Sequence, residues 1–414
     1  MPDSPITNFR DSDGVDLGRK LVTKDYLLEV YGSILENSPA SGLVVTPELW
    51  GWGQNALGAL GTSDTTYRST PVTTFAGGNT WKQVSGGRYF TAAIKTDGSL
   101  WTWGHNQYGQ LGINNTTSPI VTPVTTFAGG NTWKQLSCGK NHTAAIKTDG
   151  TLWIWGRNFL GALGNNLSGG GTESENRSTP ITTFAGGNNW KQVACGEYHT
   201  MAIKTDGSLW GWGHNQFGML GINNTDQKNT PVTTILGGTN WKSVACGDIH
   251  VLAIKTDGSL WVWGRGADGQ LGTNNTADRS TPVTTFIGGN DWKSIAGGVQ
   301  HSAAVKTDGS LWVWGTNNFA QLGTNDSTNR NTPVTTFAGG TNWKSVACGR
   351  SHTIALKTDG TLWTWGRGDS GQLGNFATTN RSTPVTTFAG GTNWKSVGGG
   401  GDFHTVAIQT IDYI

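Results

Sequence analysis

Six histidines recur at the head of a short apolar run: His142, His199, His250, His301, His352 and His404, with Phe90 in the equivalent seventh place. Imidazole at a fixed position could be a general base or a metal ligand. A spacing of 51–57 residues, however, puts one histidine in each repeat unit and none beside another. Substitution by Phe90 suits a packing or hydrogen-bonding residue and not a catalyst. Asp97, Asp149, Asp206, Asp257, Asp308 and Asp359 each sit in Thr-Asp-Gly, again one carboxylate per unit. Acid–base hydrolysis needs two carboxylates close together, whereas Asp before Gly is a turn former. Cys138, Cys195, Cys246 and Cys348 are separated by 57, 51 and 102 residues, which fits neither a zinc site nor a short disulfide framework. Gly86 and Gly297 hold the same repeat position, so a small side chain is what it requires. Free thiols made in a reducing cytoplasm are expected. The Gly-x-Gly pairs do not join a strand to a helix N-terminus and are not phosphate cradles. Arg367-Gly368-Asp369 spells an adhesive tripeptide, a match expected by chance in a Gly-rich chain. The sequence therefore predicts no catalytic, cofactor-binding or metal site, and no enzyme.

The elements that carry these residues are read from the repeat. Leu-Trp-x-Trp-Gly occurs seven times, its first Trp at 50, 101, 153, 210, 261, 312 and 363. In one unit, a Trp292-Lys293 run and His301–Val305 precede Thr307-Asp308-Gly309, a tight-hairpin signal. Leu311–Gly315 follows, then Gln321-Leu322-Gly323, then Thr332 and Pro333–Phe337, a strand expected to carry Pro333 at its first position, where a missing N–H is tolerated. Four short strands in about 51 residues is the size of a propeller blade. Composition agrees. The 414 residues include 63 Gly and 21 Trp, and only 14% are charged, against about 25% in an average chain. So much Trp excludes disorder, and Gly with Thr disfavours a helical bundle. A net charge of +2 gives no support for a nucleic-acid partner. The N-terminus lacks a secretory pattern, and no stretch approaches a membrane span. The expected fold is an all-β, seven-bladed β-propeller over residues 43–414. The last run, His404–Thr410, lacks a hairpin partner, and the first motif lacks its own His strand. Val44–Gly53 is therefore predicted to pair with Val406–Thr410 and close the ring.

The recurring unit His-Thr-x-Ala-[Ile/Leu/Val]-Lys-Thr-Asp-Gly-[Ser/Thr]-Leu-Trp-x-Trp-Gly-x-Asn-x-x-Gly-Gln-Leu-Gly resembles the regulator of chromosome condensation repeat family over residues 43–414. The resemblance implies a seven-bladed propeller, a fold that carries an exchange factor, a photoreceptor, enzyme regulators and many microbial and viral proteins. The basic tail through which the exchange factor contacts chromatin has no counterpart, since residues 1–40 carry a charge of −3. Nor does Trp stand before any repeat histidine, the neighbourhood in which the photoreceptor senses light. Asn141, Tyr198, Ile249, Gln300, Ser351 and Phe403 stand there.

Function is expected where the repeats differ, because binding residues tend to lie on loops of a rigid scaffold. One variable stretch follows each Trp-Gly, and another precedes each histidine. Their aromatic and Arg residues are the candidate partner-binding set: Tyr89, Tyr108, Arg157, Phe159, Tyr198, Phe217, Arg265, Phe319, Arg367 and Phe403. An acidic insertion at 165–178, expected to be flexible, marks one blade. Residues 1–42 lie outside the repeat. Thr23 could cap a helix over about 24–36, with Tyr26, Leu27, Val30, Tyr31, Ile34 and Leu35 as its apolar stripe. This segment is the candidate anchor to the structural proteins of a larger assembly. The layout is similar to that of bacteriophage virion proteins, which points to a propeller displayed on a capsid or tail that could meet a host-surface protein or glycan. The alternative is an intracellular regulator or cell-surface adhesin that binds its partner across one propeller face.

Overall fold

A computed structural model describes residues 44–75, 80–170, 173–398 and 401–413. The candidate anchor, Tyr26 to Leu35, lies outside them. Seven antiparallel four-stranded sheets make the propeller. In one blade the strands are Trp292–Gly297, His301–Lys306, Leu311–Gly315 and Arg330–Thr335, in that spatial order. The Trp-Lys strands line a central channel of about 490 Å³, and the Pro-containing strands form the outer edge.

Each blade turns one end to a face that carries the six Thr-Asp-Gly hairpins, the turn face. The other end meets the variable loops, the loop face. The hairpins form because Asp97 Oδ1 accepts from Ser99 N and Oγ, while Gly98 takes a φ of +83°. The Gly98 carbonyl accepts from Trp133 N of the next blade, and a Cβ on Gly98 would stand 2.3 Å from Asn131 O.

Tryptophan builds the core. Trp292 packs edge-on against Trp312 and Trp314 at 6.3 and 6.4 Å, and the pattern repeats in every blade. The apolar clusters straddle neighbouring sheets: Leu252, Ile254, Leu260 and Val262 of one blade meet Trp292, Ala304 and Trp314 of the next. A Trp buries about 150–250 Å², so these rings form most of each interface. The first Trp of every Leu-Trp-x-Trp-Gly is only half-buried. Lys95 Nζ lies over the Trp101 ring at 4.6 Å, and Trp101 Nε1 donates to Ser99 Oγ at 3.0 Å.

The ring closes as the unpaired ends required. The composite sheet runs Arg68–Thr73, Val44–Gly53, His404–Tyr413, Trp394–Gly398. The N-terminal part of the chain thus supplies both outer strands of the closing blade, not one alone. Two further expectations are corrected. The outer strand is Arg330–Thr335, not Pro333–Phe337, and Pro333 lies inside it. It is tolerated there because the strand is an edge and its register shifts between Val313 and Gly315. The residue that ends each such run, phenylalanine in six blades and Ile235 in the other, leaves the sheet and is exposed.

Candidate functional site on the loop face

The histidines belong to the scaffold. His142 Nε2 lies 3.0 Å from Thr200 Oγ1 of the next blade, and the same contact joins His250 to Ser302, His301 to Thr353, His352 to Thr405 and His404 to Thr91. Each of these hydroxyls has spent its proton on a backbone carbonyl, as Thr200 does on Ala162 O. It can therefore only accept, which assigns the proton to Nε2. Burial pushes His142, His301 and His404 down to about 4 and His199, His250 and His352 to about 3, so the rings are neutral. His199 is the exception in bonding: Val251 stands where a hydroxyl is needed, and neither ring nitrogen has a partner. The thiols of Cys138, Cys195 and Cys246 donate to main-chain carbonyls across blade junctions.

The stretch after Trp-Gly contains scaffold as well. Asn55, Asn106, Asn158, Asn215 and Asn317 are fully buried. Each Oδ1 accepts from a leucine N–H five residues on, as Asn106 does from Leu111 at 3.0 Å. These bonds hold the loop so that its neighbouring residues reach the face. The acidic insertion is partly tied down. Ser168 Oγ donates to Glu175 at 2.6 Å, and Gln227 of the following blade donates to Ser168 O.

On this frame the candidate residues converge in two groups. The Phe403 and Tyr89 rings stack at 6.2 Å, and Arg367 lies over Phe403 and Phe319 at 5.2 and 4.9 Å. His105 joins Tyr89 to Tyr108 by edge contacts. Arg157 lies 4.6 Å over Tyr108 and 4.8 Å over Phe159, and Phe159 packs edge-on against Tyr198 at 4.8 Å. One arc of rings and guanidinium groups thus crosses six of the seven blades. Arg265 over Phe217 at 5.5 Å forms the separate second group. Arg367 is paired to Asp369 at 2.6 Å, so its guanidinium is engaged within the Arg-Gly-Asp sequence itself.

Inside the arc lies a charged rim that the choice of aromatic and Arg residues missed. Arg88, Lys140, Glu197, Asp248, Val299, Arg350 and Asp402 surround the channel mouth, one from each blade. Asp402 Oδ2 bridges Arg88 and Arg350 at 3.2 Å each, and Lys140 pairs with Glu197. Asp248 has no ion-pair partner among the described residues. Burial, with the like charges of Asp402 and Glu197, raises its carboxyl to about 7. The signal was in the sequence: each rim residue immediately precedes the residue before the strand, and their charges alternate in blocks around the ring. Guanidinium groups held over aromatic rings, around a mouth of mixed charge, suit a partner's carboxylates, amides and rings. No group of three or more metal-ligating side chains occurs among the described residues.

Fold and repeat together define a propeller of the RCC1 type. The RCC1-like domain model matches residues 122–412, and the regulator of chromosome condensation (RCC1) repeat model matches 48–94 and 97–146. The chain belongs to that family. It is 34% identical over 339 residues to the ultraviolet-B receptor UVR8 of Arabidopsis thaliana, an alignment covering 80% of this chain and 76% of UVR8. It is 30% identical to the probable E3 ubiquitin-protein ligase HERC4 of Mus musculus over 72% of this chain, but spans only 33% of HERC4. Among solved structures, yeast RCC1 (Prp20) bound to Kap60 superposes with a TM-score of 0.77 at 22% identity over 90% of both chains. Human WBSCR16 gives 0.76 at 21% over 89% of this chain and all of that one. These two likenesses establish the fold.

Proposed function

We propose that the chain is a non-enzymatic regulator that binds a protein partner inside the cell through its loop face. The observation that supports it most is where the non-repeating residues lie. The scaffold of histidine, threonine, tryptophan and asparagine recurs in nearly every blade, whereas the positions of Tyr89, Phe403, Arg367, Arg157 and the rim Arg88–Asp402–Arg350 vary from blade to blade, and these residues share one face. Aromatic and Arg residues on a preorganised frame are what binding surfaces use. Proteins of the same fold fit this reading: yeast RCC1 (Prp20) is bound to Kap60 in its crystal structure, and Prp20p of Saccharomyces cerevisiae has binding properties to Gsp1p and histones. The named relatives are plant, mammalian and yeast proteins, so a regulator gains support that display on a phage particle does not. Attachment through residues 1–42 remains a proposal of its own.

Photo-crosslinking tests the reading. A benzophenone amino acid replaces Phe403, Tyr198 or, on the opposite face, Phe286 in the full chain, expressed in its native cells. The expected result is one protein adduct shared by the first two positions and absent from the third. Adducts confined to position 286 would overturn the assignment.

A further inference from the structure

The turn face repeats an exposed apolar residue seven times: Phe75, Phe127, Phe184, Ile235, Phe286, Phe337 and Phe388, each 54–67% exposed. A single exposed Phe or Ile is ordinary, but an exposed apolar residue at the same position in all seven blades makes a ring that a flat apolar partner can cover. Each begins the segment that crosses the turn face from one blade's outer strand to the next blade's inner strand. Gly129 N bonds Thr126 O, and Trp133 N bonds Gly98 O of the hairpin. The segment ends on a lysine, and Lys82, Lys134, Lys191, Lys242, Lys293, Lys344 and Lys395 are all exposed. A second lysine lies at each hairpin, as Lys147 does over Trp133 and Trp153. Only one aspartate accompanies each such pair, Asp149 in this blade, which leaves a surplus of one positive charge per complete blade. Asp291 offsets one of these through Lys306 at 3.2 Å.

We infer that this face docks the protein on an anionic lipid bilayer. Residues related by the propeller axis lie at one height along it, so seven equivalent apolar side chains and seven equivalent lysines define two parallel rings. Outside the closing blade, whose strands Val44–Gly53 and His404–Tyr413 are longer than their counterparts, such rings match a flat surface with a negative headgroup layer over an apolar interior. A folded protein partner would have to repeat its own surface seven times to use them. No helix among the described residues is long and apolar enough to cross a membrane, so the contact is peripheral. Exposed aromatic side chains enter the headgroup boundary while lysines stay in the anionic layer. The loop face, on the opposite end of every blade, is left free for a protein.

The test is co-sedimentation of the full chain with vesicles of phosphatidylcholine alone and of phosphatidylcholine with about one third phosphatidylserine. Binding to the anionic vesicles, weakened by salt, is expected. Changing Lys134, Lys191 and Lys242 to Gln should weaken it roughly fivefold per lysine, on the order of 100-fold together. Changing Phe127, Phe184, Phe286 and Phe337 to Ser should abolish it without altering the thermal transition, because these side chains contribute little to the core. Equal sedimentation with both vesicle types would overturn the inference. So would undiminished binding of the four-Ser variant, which would place any lipid contact elsewhere in the chain.

Discussion

His199 and Val251 offer a sharp check on the inter-blade contacts. Five histidines give Nε2–H to a hydroxyl of the next blade at 2.8–3.1 Å. His199 faces Val251, which is fully buried, and its two nitrogens are unpaired. A buried donor without a partner costs about 1–3 kcal/mol. Val251→Thr supplies the acceptor. Its own proton has a place as well, because the equivalent carbonyl, Met219 O, already accepts from Trp263 Nε1 at 2.7 Å, and analogous carbonyls accept two such bonds. Replacing a buried Val by Thr normally destabilises, because a hydroxyl is desolvated. Here both its donor and its acceptor capacity are met, so a net gain of about 1 kcal/mol is expected. For a chain of this size that raises the melting temperature by only about 1–2 °C, so urea midpoints are the better readout. In a His199→Phe background, which copies the Phe90–Thr143 junction, the same Val251→Thr change should cost about 1 kcal/mol. The coupling in the double-mutant cycle is then about 2 kcal/mol. Equal destabilisation by Val251→Thr in both backgrounds would refute the bond.

Other outcomes follow from the same frame. The six buried histidines are neutral when folded but protonate near pH 6.5 when unfolded. The unfolded state therefore binds more protons, and stability is full above pH 6.5 and falls as pH drops toward 4. At pH 5 each costs about 2 kcal/mol, on the order of 10 kcal/mol for six, against a total stability of about 5–15. Tryptophan fluorescence should show acid unfolding near pH 5, and a native spectrum at pH 4 would contradict the neutral-ring assignment. Trp52→Ala should cost about 3–5 kcal/mol because the ring is fully buried, and Trp50→Ala clearly less because that ring is half-buried. Equal costs would show that the two rings of the motif are not distinguished. Deleting residues 43–53 removes Leu49 and Trp52 from the closing core and uncovers the edges of Arg68–Thr73 and His404–Tyr413. The cooperative transition of the whole ring should be lost, and an unchanged melting curve would disprove closure.

Much of the architecture was legible because each blade repeats a complete local code. Thr-Asp-Gly fixes the hairpin, Leu-Trp-x-Trp-Gly fixes a strand, and the unmatched ends at Leu49 and His404 fix closure. Two things were not legible. Strand ends depend on edge position, so Pro333 read as a beginning although it lies at a register shift inside an edge strand. Exposure is tertiary: nothing in Thr-Thr-Phe tells an exposed Phe127 from a buried one, because burial depends on whether a neighbouring sheet covers the end. The site was half legible. Variability identified the loops, and Tyr89, Phe403 and Arg367 do meet. The burial of the loop asparagines depends on how each loop folds back on itself, as Asn106 bonds Leu111 five residues on, and the rim formed by Arg88, Asp402 and Arg350 depends on contacts between different blades.

Amide hydrogen exchange of the full chain, with and without its bound protein partner, tests the loop-face assignment most directly. Protection is predicted at the amides of Arg88–Tyr89, Tyr198, Arg350, Arg367 and Phe403, with the hairpins around Asp149 and Asp257 unchanged. Protection of the hairpins with the loop amides unaltered would contradict it.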